Sequence, residues 1–121
     1  MTESQTLILG CAGRSLTREE RTFYRNECPW GFILFARNVA EAEQIRDLVA
    51  DMRDGVGRED APVFIAREGA GGHPLRPPLA PDYPAAGALG ALYRRDEEAG
   101  LRAAWVLSRL HAFDLGRYGI S

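Results

Sequence analysis

Few side chains in this sequence are of the types that do chemistry, and most of them stand alone. Glu68 follows a short apolar run and has the carboxylate of a general acid. No second carboxylate is spaced to partner it, so we favour a role in ordering its loop. His73 lies in a stretch of Gly and Pro, without a second His or Cys spaced to complete a metal site. A structural role is favoured for His111, and we expect no bound metal.

The run Gly69-Ala70-Gly71-Gly72 is the other feature that suggests a ligand, because Gly-rich loops can cradle phosphates. It lacks the third Gly of a dinucleotide fingerprint and the Gly-Lys-Ser/Thr of a P-loop. We therefore expect no nucleotide and no other cofactor. Cys11 and Cys28 have neither C-x-x-C nor Cys/His spacing and are interpreted as buried small hydrophobes.

Composition limits the classes of partner. The 15 basic and 17 acidic residues are mixed along the chain and give a formal net charge of -2, so no positive field attracts nucleic acid. No run approaches the roughly 20 apolar residues of a membrane helix, and the start MTESQTLILG lacks the basic flank of a secretory signal. With 121 residues, 45% of them hydrophobic, we expect one domain, 1–121, in the cytoplasm, with no nucleic-acid or membrane partner.

The first elements that would position these residues are a strand and a helix. Residues 6–9 form a short apolar run typical of a strand. Thr17 and Glu20 have the spacing of a capping box, which predicts a helix from about Arg18, and Pro29 ends it.

A second strand and helix follow. Residues 31–35 are continuously apolar, the pattern of a strand covered on both faces. Asn38 is predicted to cap the next helix, which is favoured over the alternative that Arg37 and Asn38 contact a ligand at the end of this strand. Four apolar residues are spaced to share one face of that helix: Ile45, Leu48, Val49 and Met52.

The rest of the chain adds a third strand, a long loop and a last helix. Residues 62–65 read as a buried strand with Pro62 at its start, and residues 68–91 lose periodicity and contain five of the seven prolines. The last helix is predicted over 96–115. It is apolar on two sides and is expected to be well buried, with Leu101, Ala104, Trp105 and Ala112 on one stripe and Val106, Leu110 and Phe113 on the other. The alternation βαβαβα predicts an α/β fold with a parallel sheet and right-handed crossovers.

Several short sequence motifs occur along the chain in an order that is typical of one enzyme family. They are LTREER at 16–21, WGFILFARN at 30–38, EG at 68–69, LRPP at 75–78, YP at 83–84 and ALG at 88–90. Together they resemble the N-terminal third of bacterial β-N-acetylhexosaminidases of glycoside hydrolase family 3. The resemblance implies a partial TIM-type (β/α) barrel of about three βα units. It also implies retaining hydrolysis of terminal N-acetylglucosamine from cell-wall fragments during peptidoglycan recycling.

The chain departs from this family after its third strand. The family usually reads I-D-x-E-G-G-R-V-x-R-L-R-P-P, whereas residues 65–78 read IAREGAGGHPLRPP. The family's sugar-binding Asp falls on Ala66, an Arg that helps hold the sugar falls on Pro74, and the Arg of its E-G-G-R segment falls on Gly71. Losing one charge-assisted hydrogen bond costs about 1.5–3 kcal/mol, so losing two weakens binding by a factor on the order of 100 or more. Glu68 and Arg76 remain as candidate substrate-binding residues for a weakly bound N-acetylglucosamine-containing glycan.

Length is the larger departure. A complete (β/α)8 barrel needs roughly 250 residues, and residues 119–121 lie where the fourth strand is expected to begin. The family takes its nucleophilic Asp and its catalytic His loop from later units, so the resemblance assigns no catalytic residue here.

Two hypotheses follow. In the first, the chain is a truncated or split β-N-acetylhexosaminidase segment, inactive unless a complementing chain supplies the missing strands. In the second, it is a non-catalytic remnant or interaction module that associates through open sheet edges.

Overall fold

A three-stranded parallel sheet is the centre of the computed structural model, which describes residues 3–66 and 73–121. Its strands are β1 (Gln5–Leu9), β2 (Pro29–Leu34) and β3 (Val63–Ile65), in the spatial order β1-β2-β3. Phe32 of the middle strand pairs with Leu9 on one side and with Val63 on the other. The prediction of an α/β fold with a parallel sheet is confirmed.

Helices connect the strands and follow the last one. Helix α1 (Arg18–Glu27) joins β1 to β2, and α2 (Ala42–Val56) joins β2 to β3. The capping box at the start of α1 is confirmed: Thr17 Oγ1 accepts the backbone N–H of Glu20 at 3.1 Å, and the Glu20 carboxylate accepts that of Thr17 at 2.8 Å. The same carboxylate accepts the N–H of Ala12 at 2.8 Å, so Glu20 also orders the loop after β1.

The core lies between the sheet and α2. The predicted apolar face of α2 is confirmed, because each of its four residues is buried. Tyr24 of α1 forms a T-shaped aromatic pair with Phe32, with ring centroids 5.0 Å apart. Phe32, Leu34 and Val63 are fully shielded from solvent, as expected for strands covered by helices.

The predicted loop over residues 68–91 is wrong in its last part. Helix α3 (Ala86–Arg95) begins inside it and leads directly into α4 (Glu97–Gly116). The start of α3 carries no sequence signal, since its N-cap is Ala85, which makes no side-chain capping bond. Packing stabilises α3 instead: a Cβ on Gly100 of α4 would lie 2.4 Å from the Cα of Tyr93, so the two helices approach closely at a position where only Gly fits.

The expectation that the last helix is well buried is also wrong. Five large apolar side chains of α4 are between 43% and 71% exposed, and we call them the α4 apolar face: Leu101, Trp105, Val106, Leu110 and Phe113. The helix packs mainly along α3, and among the described residues no further layer covers this side. Hydrophobic periodicity showed that the helix has apolar sides, but burial depends on whether another element is present to cover them.

The end of the chain returns to the sheet. The N–H of Ser121 donates to the carbonyl of Val63 at 2.7 Å, and the N–H of Val63 donates to Ser121 Oγ at 3.1 Å. Ser121 therefore lies along the edge of β3 that faces away from β2, which is the position of a fourth strand. Within the part of the chain that the structure describes, no helix is long and apolar enough to cross a membrane.

Candidate binding site at the carboxyl edge of the sheet

The carboxyl ends of the three strands meet at one edge of the sheet. Gly10 and Cys11 follow β1, Phe35 follows β2 and Ala66 follows β3. In barrels of parallel strands, loops at this edge carry the ligand-binding and catalytic groups. Ligand-binding or catalytic side chains are therefore expected at this edge.

Asn38 ties two of these strand ends together. Its side chain is fully buried; Oδ1 accepts the backbone N–H of Phe35 at 2.9 Å, and Nδ2 donates to the carbonyls of Gly13 at 2.6 Å and Cys11 at 3.1 Å. The prediction that Asn38 caps a helix is wrong, because a 3-10 turn, Ala36–Asn38, intervenes and α2 begins only at Ala42. Asn38 is thus part of the scaffold of the edge.

Gln44, which the sequence did not single out, supports the same loops. Its Nε2 donates to the carbonyls of Arg14 at 2.7 Å and Asn38 at 2.8 Å, and its Oε1 accepts the N–H of Ala40 at 2.9 Å. Its position at N3 of α2, the third residue of the first turn, is the only sequence signal for this role.

Arg37 is an exposed charged residue at this edge. Its Nε donates to the carbonyl of Cys11 at 3.1 Å, and its guanidinium lies 4.7 Å from the centroid of the Phe35 ring. These two contacts hold the guanidinium beside the strand ends. A cation–π contact at an exposed site contributes about 0.5–1 kcal/mol. Contact between Arg37 and a ligand stays a prediction.

The Cys11 thiol is not activated at this edge. Burial, and next the negative charge of Glu20, raise the pKa of Cys11 above its ordinary value. A nucleophilic Cys needs the opposite environment, one that favours the thiolate. The structure therefore agrees with Cys11 as a small buried hydrophobe. For Cys28 the interpretation is wrong, because this residue at the end of α1 is partly exposed.

The residues that the family resemblance singled out lie only partly within the described chain. Ala66 directly follows β3 and donates its N–H to the carbonyl of Leu34 at 2.8 Å, but its methyl group cannot bind a hydroxyl. Pro74 is half-buried, and Arg76 is exposed with its Nε donating to the carbonyl of His73 at 3.1 Å. Glu68 and Gly71 lie outside the described residues, so the proposed role of Glu68 stays a prediction.

A second group of polar side chains, missed by the sequence analysis, lies away from this edge. Residues 73–86 and the last turns of α4 enclose a cleft of about 640 Å³. The planes of the His73 and His111 rings are there only 4° from parallel, with centroids 6.0 Å apart. The Tyr83 and His111 rings form a T-shaped pair with centroids 4.6 Å apart. The Tyr83 hydroxyl donates to the Asp114 carboxylate, and this bond raises the pKa of Tyr83.

The spacing of the two histidines in the sequence did not predict that their rings stack. The two histidines are 38 residues apart in sequence, and only the packing of the segment 73–85 on α4 brings them together. Among residues 3–66 and 73–121, no group of three or more His, Cys, Asp or Glu side chains is arranged to hold a metal ion.

Comparison with known proteins identifies relatives of the chain. No protein-family model matches it. It is 32% identical over 122 residues to a beta-hexosaminidase of Xylella fastidiosa (strain 9a5c), across 94% of this chain and 33% of that protein. The beta-hexosaminidase of Xanthomonas axonopodis pv. citri (strain 306) is 33% identical over 119 residues, across 94% of this chain and 34% of that protein.

A solved structure gives the same result for the fold. The crystal structure of NagZ from Neisseria gonorrhoeae in complex with N-trifluoroacetyl-D-glucosamine superposes with a TM-score of 0.83 and 26% identity, over 97% of this chain and 34% of that one. The chain spans about one third of the length of these relatives, and its three βα units fit a partial TIM-type barrel. The chain therefore matches, in sequence and in fold, the N-terminal third of the bacterial β-hexosaminidases, the family 3 glycoside hydrolases that its motifs resemble.

Proposed function

We propose that this chain supplies the first three βα units of a β-N-acetylhexosaminidase-type barrel and does not hydrolyse glycosides by itself. The observation that carries the proposal is Ala66 at the carboxyl end of β3, where the family has its sugar-binding Asp. Pro74 replaces a second sugar-binding group. Neither side chain can donate or accept a hydrogen bond, so this edge lacks two of the contacts that would hold a sugar.

Catalysis needs more than sugar binding. Retaining hydrolysis requires a nucleophile and an acid/base about 5 Å apart across the glycosidic bond. The resemblance assigns both groups to units beyond those matched here. The substrate class of the completed barrel would be glycans with terminal N-acetylglucosamine, in the cytoplasmic recycling of peptidoglycan. The sugar derivative bound by the NagZ relative supports that class.

An activity assay and a gain-of-binding variant test this proposal. We expect the purified chain to show no turnover of an aryl N-acetylglucosaminide above the buffer rate. Ala66→Asp should restore one charge-assisted hydrogen bond and strengthen binding of N-acetylglucosamine roughly 10-fold to 100-fold in a titration. Ala50→Asp, on the exposed side of α2, adds the same charge away from the edge and serves as the control.

Two outcomes would contradict the proposal. Clear turnover by the unmodified chain would mean that catalytic groups are present where none is assigned. Equal binding by the Ala66→Asp and Ala50→Asp variants would mean that the end of β3 is not a sugar-binding position.

A second function, association with another chain, is favoured by the exposed surface of α4. The α4 apolar face contains five large apolar side chains that are exposed, and exposed apolar patches often mark interaction sites. Among the described residues, β1 pairs only with β2, and its Leu7 and Ile8 are 44% and 47% exposed. We propose that a complementing chain or a second copy covers these surfaces.

Light scattering after size-exclusion chromatography tests the association. We expect the chain to elute as oligomers, and the double variant Trp105→Glu/Phe113→Glu to shift towards monomer because it places charges in the α4 apolar face. Asn26→Glu adds a charge to an exposed polar position of α1, away from the α4 apolar face, and should leave the distribution unchanged. A monodisperse monomer of the unmodified chain at every concentration tested would reject self-association.

A further inference from the structure

The α4 apolar face carries positive charge among its apolar side chains. Arg102 and Arg109 are exposed and have the helical spacing that places them on the same side as Trp105. The Arg109 guanidinium lies 5.0 Å from the centroid of the Trp105 ring. No Asp or Glu occurs between residues 99 and 113. Exposed Trp and Arg side chains of this kind dominate the binding energy of many protein interfaces, and here they require a partner with carboxylates.

Helix α1 has an exposed side with the complementary pattern. Glu19, Phe23 and Glu27 are spaced four residues apart, so they follow one side of the helix, and Phe23 is 51% exposed. We call these three residues the α1 acidic face. The basic residues of α1 fall on the opposite side of the helix by their spacing: Arg18, Arg21 and Arg25. The α1 acidic face therefore presents one large apolar ring between two negative charges.

The charges of the two faces are not used inside the described chain. Among residues 3–66 and 73–121, the ion pairs include neither glutamate of the α1 acidic face. In the same part of the chain, they include neither Arg102 nor Arg109. The Glu20 carboxylate differs, since it accepts the backbone N–H groups of Thr17 and Ala12. Four charged groups are therefore available to a partner.

The spacing of these charges also matches. Glu19 and Glu27 are eight residues apart, which is about 12 Å along a helix axis. Arg102 and Arg109 are seven residues apart, which is about 10.5 Å. Both ion pairs can therefore form across a single helix–helix contact, in which Phe23 packs on the apolar side chains between the two arginines.

We propose that the α4 apolar face of one copy docks on the α1 acidic face of a second copy of this chain. The inference rests on the association proposed above and deepens it, because it names the partner and the surface that receives α4. A groove between α1 and β1, lined by Leu9, Tyr24 and Phe23 among others, adds apolar contact next to the open edge of β1. Asn26 does not line this groove, so Asn26→Glu remains a control. The two faces differ, so copies join head to tail into a closed ring or an open array.

Charge reversal distinguishes this contact from a general attraction between apolar surfaces. Arg102→Glu/Arg109→Glu and Glu19→Arg/Glu27→Arg each bring like charges together across the contact. We expect each double variant to weaken association by about 10-fold to 100-fold in sedimentation equilibrium. The fourfold variant that combines both should associate as the unmodified chain does, because opposite charges then face each other again.

Arg25→Glu/Arg95→Glu is the matched control. It changes the net charge by the same amount as Arg102→Glu/Arg109→Glu, at exposed positions outside both faces, and should change the association constant by no more than about twofold. Far-UV circular dichroism checks that each variant is folded. The unmodified chain adds a test that needs no variant: its association should weaken several-fold when NaCl is raised from about 0.05 M to about 0.5 M, because salt screens exposed ion pairs.

Three results would overturn the proposal. The first is association that persists undiminished in both double variants, which would leave the association itself intact and reject this contact. The second is a folded fourfold variant that stays as weakly associated as the double variants, and the third is association of the unmodified chain that does not weaken with salt. A monodisperse monomer of the unmodified chain would instead reject the association as a whole. None of these outcomes bears on turnover or on the Ala66→Asp variant, so the failures are distinguishable.

Discussion

Replacing the buried Asn38 is predicted to destabilise the fold markedly, because its side chain holds backbone groups of two loops. Asn38→Ala removes the acceptor of the Phe35 N–H and the donor to the Gly13 carbonyl. The Cys11 carbonyl keeps a partner, because Arg37 Nε also donates to it. When the amide is removed, the Phe35 N–H therefore loses its hydrogen bond, and the Gly13 carbonyl keeps only a weak one from the Cys11 thiol at 3.5 Å.

The expected cost follows from those two groups. A polar group left unsatisfied in the interior costs about 1–3 kcal/mol, and both bonds are only partly shielded from water, so we expect a loss of roughly 3 kcal/mol in the free energy of unfolding. A domain has about 5–15 kcal/mol in total, so this is a large fraction. With a urea m-value of about 1–3 kcal/mol/M, the midpoint should fall by about 1–3 M.

Urea unfolding followed by far-UV circular dichroism measures this loss. Asn26, the other asparagine of the chain, is exposed on α1, and Asn26→Ala should change the stability by no more than about 0.5 kcal/mol. Equal midpoints for the two variants at unchanged m-value would refute the reasoning, because the bonds of Asn38 would then contribute nothing net to the scaffold of the edge.

Two further predictions follow from the second half of the chain. The Asp114 carboxylate raises the pKa of Tyr83 above 10.0, so this pair's stabilisation is fully present below about pH 10 and is lost as the pH rises through the higher pKa of the folded state. Asp114→Asn should shift part of the phenolate absorbance of the folded chain to lower pH and flatten the alkaline loss of stability; an unchanged titration would mean that the bond is absent in solution. Gly100→Ala should destabilise the α3–α4 hairpin by about 1–3 kcal/mol because its Cβ meets the Tyr93 backbone, whereas Gly87→Ala, with open space around its Cβ, should be neutral or stabilising. Thermal unfolding of both variants checks this, and equal melting temperatures would contradict the close approach.

Much of the fold could be predicted because its signals are local. The capping box of Thr17 and Glu20 and the buried face of α2 depend on neighbours within a turn or two of one helix, and both are confirmed. The start of α3 could not be predicted, since Ala85 offers no side-chain cap. The helix is stabilised instead by its close packing against Gly100 of α4, which is a tertiary contact. At the carboxyl edge, the motif alone identified Ala66 and Pro74 as departures from the family.

The sequence by itself determined the α/β alternation, the parallel sheet and the family that the chain matches. Hydrophobic periodicity, helix capping and sequence motifs each involve residues that are close together in the sequence, so they can be recognised without the fold. Only the tertiary structure decided that Asn38 ties two strand ends together, that the two histidines meet, and that the α4 apolar face is exposed. Each of these depends on which distant residues come into contact or on whether any layer covers a helix. A pattern within one segment contains no information about either.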